Sequence, residues 1–276
     1  LFMNFDNNAS LGETRTLIKD FSGNGNDATC SGTGCPIYTS SGKYNGAYTF
    51  DGVNDRLTIT NNPSLVLSGG DFTISAWVKL TGDYSMRRAI VSKRSSSGYP
   101  YEFMISQTSG KIGLLTSVGS SYSRSTISQN EWKHVAVVYK NGGMTTYYID
   151  GEIDESVLSK SSTDVNTNII IGAEDTSGQY PFKGLIEEFR IYKRALSDNE
   201  IKELYYSNLN KYDADRWIFY VNQSNSYSGN YNYKVSVKDL NDNIFGTETR
   251  TLTINNPRKI FEIYQGVDIP EWEIYN

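Results

Sequence analysis

Trp132-Lys133-His134-Val135-Ala136-Val137-Val138-Tyr139-Lys140-Asn141-Gly142-Gly143-Met144-Thr145-Thr146-Tyr147-Tyr148-Ile149-Asp150-Gly151 is the stretch from which the fold is read. Two β-branched and aromatic runs flank a turn. Asn141-Gly142-Gly143 supplies residues that accept positive φ, as tight hairpin turns require. The flanking runs favour strand. By the period of two, Trp132, His134, Ala136 and Val138 share one face, and Val135, Val137 and Tyr139 the other. Both faces are mostly apolar, which places the hairpin inside a layered β structure.

Other motifs fall in order around it: Asp20-Phe21-Ser22-Gly23-Asn24-Gly25-Asn26, Phe50-Asp51-Gly52-Val53-Asn54-Asp55, Phe72-Thr73-Ile74-Ser75-Ala76-Trp77-Val78 and Gly184-Leu185-Ile186-Glu187-Glu188-Phe189-Arg190-Ile191-Tyr192. Together with Trp-x-His-Val-Ala-Val-x-Tyr and Tyr-Ile-Asp-Gly they resemble the laminin-G-like, concanavalin A-like jelly-roll family over residues 1–208. The family usually has Asp where this chain has Glu187. The resemblance implies an all-β jelly-roll sandwich closed by one short helix. It says much less about function.

The 276 residues are ample for a core and set a prior of one to two domains. Expected strands lie near 1–6, 47–50, 55–60, 71–80, 88–93, 101–106, 111–116, 133–140, 144–150, 168–172 and 182–192, with a loop-rich stretch at 20–46. Regular strand spacing indicates a sandwich or jelly roll. Ser197-Asp198-Asn199-Glu200 reads as a capping box opening a three-turn helix that ends near Ser207.

Residues 209–276 read as a second unit. After a connection at 208–215 come strands near 216–222, 231–238 and 248–255. This segment resembles the last strands of immunoglobulin-like modules of surface proteins. A full sandwich of that type needs about seven strands, so one face is expected to lack a cover. The jelly roll, residues upstream of Leu1 or a neighbouring subunit could supply it. The tail through Ile260, Phe261, Ile263, Ile269, Trp272 and Ile274 is apolar enough to be exchanged between copies, as in donor-strand assembly.

The formal net charge is −5 and no basic run appears, which argues against nucleic-acid or anionic-membrane binding as general modes. No apolar run approaches the roughly 20 residues that span a bilayer. No signal peptide is visible; one has been removed, or the chain is a piece of a longer protein. Cys30 and Cys35 have four residues between them in a Gly/Ser/Thr loop. A metal pair would want two more soft ligands, and the single His is distant. The remaining reading is a local disulfide worth roughly 2 kcal/mol, which implies an oxidising setting, extracellular or at the cell surface. Asn8-Ala9-Ser10 and Asn222-Gln223-Ser224 fit the N-glycosylation pattern.

Three chemistries compete. The family includes laminarinase-type hydrolases, whose catalytic strand carries Glu-x-Asp-x-x-Glu. Gly151-Glu152-Ile153-Asp154-Glu155-Ser156-Val157 begins similarly, but Val157 stands where the second Glu is needed, so retaining hydrolysis lacks its acid. His134 reads as a structural histidine whose ring bonds a neighbour. Domains of the family often hold a structural calcium. The resemblance then points to Asp20, Asn24 and Asn26 in a Gly-rich turn, with Glu187 from the late strand, since calcium takes six to eight oxygen ligands. The alternative is that Asp20 and Asn24 merely bond turn amides. Sugar binding uses aromatic faces beside polar groups; Tyr84, Tyr99, Tyr101, Tyr122 and Tyr180 lie in or beside expected loops, near Arg87, Arg88 and Arg94.

The expectation is therefore a non-catalytic adhesion or carbohydrate-binding module of a larger surface protein. Its partners are glycans or neighbouring subunits. The alternative is a structural subunit of a surface layer or filament, and a hydrolase is the weaker third.

Overall fold

The central stretch forms the hairpin its sequence predicts, with Val135 opposite Ile149 and Tyr139 opposite Thr145. The computed structural model describes residues 1–95, 98–211, 217–222, 228–233, 236–238, 244–246, 248–254, 262–266 and 274–275. In chain order the strands before the helix are β1 (Phe2–Met3), β2 (Leu17–Ile18), β3 (Ala28–Thr29), β4 (Ile37–Thr39), β5 (Ala47–Asp51), β6 (Leu57–Ile59), β7 (Phe72–Leu80), β8 (Arg88–Ser95), β9 (Gly98–Ile105), β10 (Lys111–Thr116), β11 (Gly119–Thr126), β12 (Trp132–Tyr139), β13 (Met144–Ile149), β14 (Glu152–Leu158), β15 (Ile169–Ile171) and β16 (Lys183–Tyr192).

One sheet has the order β14-β13-β12-β7-β16-β5-β4, with β1 added beside β16. The second has the order β11-β10-β9-β8-β15-β6-β3-β2. Their inner faces meet in one core. Ile74, Val78, Val135, Val137 and Phe189 come from the first sheet, and Val91, Phe103, Ile112 and Ile169 from the second. This is the expected all-β sandwich. The expected strands leave out β11, most of whose residues are half-exposed or exposed, so that no apolar period marks it. They also leave out β14 and the short β2, β3 and β4, the last two of which correct the loop-rich reading of 20–46.

The helix α1 (Asp198–Tyr206) begins at Ser197, and the capping box is complete in both directions. It explains why both faces of the central hairpin are apolar. Val135, Val137 and Tyr139 point into the sandwich. Ala136, Val138 and Tyr148 instead form a second cluster with Leu196 and Ile201, under α1.

Along β16 two residues have positive φ, Gly184 at +146° and Glu188 at +51°, the latter within the bulge between Glu187 and Arg190. A bulge lets consecutive side chains turn to the same side of a strand. Both carboxylates are buried. Glu187 accepts the backbone N–H groups of Lys43, Tyr44 (2.9 Å) and Asn45 (3.4 Å). Asp6 accepts that of Gly46 at 3.1 Å. Glu188 pairs with Arg190 at 2.6 Å and accepts Asn208 Nδ2 at 3.1 Å.

Beyond α1, the expected connection at 208–215 is corrected: β17 (Ser207–Lys211) pairs with β18 (Trp217–Asn222) directly after the helix. In place of one strand at 231–238 there are two, β19 (Gly229–Tyr233) and β20 (Ser236–Lys238). β21 (Ile244–Gly246), β22 (Arg250–Ile254), β23 (Glu262–Gly266) and β24 (Ile274–Tyr275) follow. The described order is β17-β18-β23-β24, with separate pairs β19–β22 and β20–β21. The tail strand β23 lies in register with β18 of its own chain, Ile263 opposite Val221. Ile260, Phe261, Ile269 and Trp272 lie outside the described residues, as does the Gln223–Ser224 part of the second glycosylation triplet; the side chain of Asn222 does too.

Candidate functional site

The register of β8 and β9 builds the site. Lys93 lies opposite Tyr101 and Val91 opposite Phe103, and Ser92 faces Glu102. Tyr101, Phe103 and Ile105 enter the core, so alternation turns Glu102 to the outer face of the sheet. After β15 the chain makes a loop at 172–182 that folds back over this face. Phe182 N donates to Gly172 O at 2.8 Å, Glu174 N to Gln179 O at 2.8 Å, and Ala89 N to Tyr180 O at 3.0 Å. Arg88 fixes the loop's end by donating to Pro181 O at 3.2 Å. Tyr180 sits at φ +47°, a costly conformation for a bulky residue that tends to accompany functional loops.

The loop brings Glu174 between two arginines: Arg87 pairs with one carboxylate oxygen and Arg94 with the other. Arg87 Nε also lies 3.4 Å from Glu102 Oε1. The guanidinium carbon of Arg87 is 3.8 Å from the Tyr180 ring centroid, and that of Arg94 is 4.1 Å from the Tyr99 centroid. Each is within cation–π range. Glu102 and Glu174 are wholly buried, and Glu102 accepts no hydrogen bond at either oxygen. Burial pushes Glu102 up to about 7, against the opposing pull of Arg87 and Arg94.

Of the five expected sugar-binding tyrosines, two are thus brought together. Tyr101 is corrected to a core residue, 1% exposed, because it shares the inner face with Phe103. Tyr84 donates to Ile127 O at 2.5 Å and packs on Gly110, while Tyr122 lies on β11 over Gly113; both make their contacts at the far edge of the sheet. Glu102 and Glu174 were not legible as site residues. The one local signal was a charge at 102 between core positions in a central strand.

The expected calcium ligands are spread over separate contacts. Asp20 Oδ1 accepts the amides of Phe2 (3.0 Å) and Ser22 (2.9 Å), and Oδ2 that of Asn26 (3.1 Å). Burial alone would raise this carboxyl, but these donors outweigh it and hold it below the usual range. Asn24 donates to Ser22 Oγ and Asn26 to Ser64 Oγ, each at 3.0 Å. Glu187 holds the 43–45 amides instead. Among the described residues no three His, Cys, Asp or Glu side chains converge as a metal centre. Asp20 is thus oriented by backbone amides at the turn, and Glu187 by the separate set at 43–45. Asp20→Ala is expected to lower stability by about 2 kcal/mol through three lost acceptor bonds. The melting temperature of the parent should be the same with and without chelator. A chelator-induced drop that Asp20→Ala abolishes would establish calcium at the turn.

His134 is buried between Trp77 and Tyr205, with ring centroids 5.5 and 6.2 Å away. The expected ring hydrogen bond is corrected at Nδ1, which has no partner; the residue is held through its backbone N–H to Asp150 Oδ1 at 3.0 Å. On β14, Asp154 Oδ2 accepts the amides of Arg124 (2.5 Å) and Ser125 (3.0 Å), and Glu152 pairs with Lys202 at 3.0 Å. Cys30 and Cys35 are disulfide-bonded, with Cα atoms 5.1 Å apart. Asn8 caps a short turn by accepting Ser10 N at 3.0 Å.

The laminin G-like family model described as the concanavalin A-like lectin/glucanases superfamily matches residues 50–202. Paraclostridial mosquitocidal protein 1 of Paraclostridium bifermentans is 28% identical over 229 residues, covering 73% of this chain and 17% of that protein. The chain thus spans about a sixth of the length of this curated relative. The crystal structure of the binding domain of that protein superposes with TM-score 0.57 at 17% identity, covering 93% of this chain and 71% of the other. A structure of botulinum neurotoxin type C, whose cell entry depends upon interaction with two ganglioside molecules, gives TM-score 0.53 at 15% identity, covering 91% of this chain and 72% of the other. Domain 4 of AbnA, an extracellular arabinanase of Geobacillus stearothermophilus in complex with arabinotriose, gives TM-score 0.52 at 23% identity, covering 64% of this chain and 82% of the other. At these identities the solved structures speak to the fold alone.

Proposed function

The chain belongs to the concanavalin A-like lectin/glucanase superfamily, and from that premise we propose that it is a non-catalytic carbohydrate-binding module of an extracellular protein. Its binding surface is the outer face of the second sheet at Arg87, Arg94, Tyr99 and Tyr180. The observation that carries this reading is the pair of guanidinium–tyrosine stacks clamped on one buried carboxylate. Rigid aromatic faces beside fixed hydrogen-bonding groups suit sugar rings, and groups already locked in place lose little entropy on binding.

The relatives support it in kind: a toxin's binding domain, a toxin whose cell entry depends on gangliosides, and an arabinanase domain holding arabinotriose. The disulfide suits an oxidising setting. No helix among the described residues is long and apolar enough to cross a membrane. Catalysis is not part of this reading. The β14 carboxylates are occupied by amides and lysine, and the third position of the hydrolase pattern is Val157. In this reading residues 1–208 are the module, closed at its end by the bonds of Asn208 to Glu188 and Arg190, and 209–276 are a second unit.

The test is a glycan array probed with the chain and with a Tyr99→Ala/Tyr180→Ala double variant. Binding of a defined glycan subset is expected, weakened about tenfold or more by the double substitution. Binding that the double variant retains in full would move the site elsewhere.

A further inference from the structure

The cluster hides its acceptors and shows its donors. Glu102 and Glu174 have no exposed side-chain surface, while the side chains of Arg87 and Arg94 remain 22% and 25% exposed. Each guanidinium carries five N–H donors. Among the described residues, the partners of Arg87 are Glu174 and Glu102, and the ion-pair partner of Arg94 is Glu174. Among the described residues these partners take up fewer than the five donors of each fork. The tyrosine rings fix the planes of the two forks, so a ligand meets an ordered donor edge. Asp175, the next carboxylate along the loop, accepts Ser177 N, Ser177 Oγ and Gln179 N at its Oδ1, at 2.9, 2.6 and 3.3 Å. Burial alone would raise it, but these bonds together with Arg94 hold it below the usual carboxylate range.

A neutral sugar needs acceptors as well as donors to satisfy its hydroxyls. This surface offers donors. Resting on the reading that this face is the binding surface, we propose that its ligand is an acidic glycan whose carboxylate or sulfate oxygens lie across the exposed edges of Arg87 and Arg94. Bidentate arginine contacts are the strongest way to hold such groups.

The experiment titrates the full chain with lactose, sialylated lactose, its carboxyl methyl ester and sulfated lactose. The acidic forms should bind at least about tenfold more tightly than lactose, and added salt should narrow that gap. The methyl ester should bind like lactose. Arg94→Gln should remove the preference. If that variant does not fold, the ester and the salt titration decide the matter on the unaltered protein. Lactose binding as tightly as its acidic forms, with that binding lost in Tyr180→Ala, would overturn the acidic specificity and leave the module reading standing. Failure of all four sugars, together with an array that shows no binding, would overturn both.

Discussion

Acidifying the protein from about pH 8.5 to about 6.5 is expected to stabilise it by roughly 2–3 kcal/mol, raising the melting temperature by several degrees. The cause is the buried acid group on the outer face of the first sheet. Burial, and then the neighbouring Glu188, push Glu187 up to about 8 even though three backbone amides oppose the shift. Burial, Glu188 and Glu13 push Asp6 to about 7 against the Gly46 amide. Burial does the same to Glu102 at the other face. A carboxyl raised in the folded state contributes stability that is complete below its unfolded value and disappears as pH rises through its folded value. The window therefore lies between pH 6.5 and 8.5, above the range where Asp20, Asp83, Asp154, Asp175 and Glu200, all held low, begin to matter. His134 opposes the gain further down. Burial lowers it to about 3, so below pH 6.5 the unfolded chain takes up a proton that the folded one refuses. Glu187→Gln keeps a side-chain acceptor for the 43–45 loop while removing the titration. Its melting temperature should vary less with pH, and at pH 8.5 it should match or exceed the parent's. An unchanged slope in this variant would show that Glu187 does not titrate in the window.

Gly184→Ala is expected to be among the most destabilising single changes in the chain, costing more than about 3 kcal/mol. Gly184 has φ +146°, and a Cβ there would stand 2.1 Å from Lys79 O and 3.0 Å from Thr81 N. Both are backbone atoms of the neighbouring strand and its end, paired through Gly184 opposite Leu80, so nothing nearby can swing aside. Gly142→Ala is the control. It too has positive φ, +68°, but no atom lies within 4 Å of its Cβ, so only the conformational cost of about 1 kcal/mol remains. Denaturant midpoints of the two variants check the contrast. Equal losses would mean that backbone conformation, and not the close strand approach, explains Gly184.

Local pattern carried most of the fold. The alternation in 132–150 required two buried faces, and the structure supplies the sandwich for one and α1 for the other. The capping box at Ser197 marked the start of α1 because a cap is a chemical relation among four consecutive residues. β11 escaped because it buries little and so has no apolar period. Strand β17 escaped because Ser207-Asn208-Leu209-Asn210-Lys211 reads as a polar connection, and its pairing with β18 is a tertiary event.

The site divides along the same line. The sequence by itself determined that tyrosines 99 and 180 and arginines 87 and 94 lie in or beside loops, that the cysteines suit a local bridge, and that the β14 carboxylates lack a partner at Val157. Only the tertiary structure decided which tyrosine is core and which faces outward, because that depends on the register of β8 against β9. It also placed Glu174 between Arg87 and Arg94, from a loop some eighty residues further along the chain. Periodicity and capping act over a few residues and can be read along the chain. A carboxylate clamped between two distant arginines is held by a loop's path through space, and no spacing within the sequence records that path.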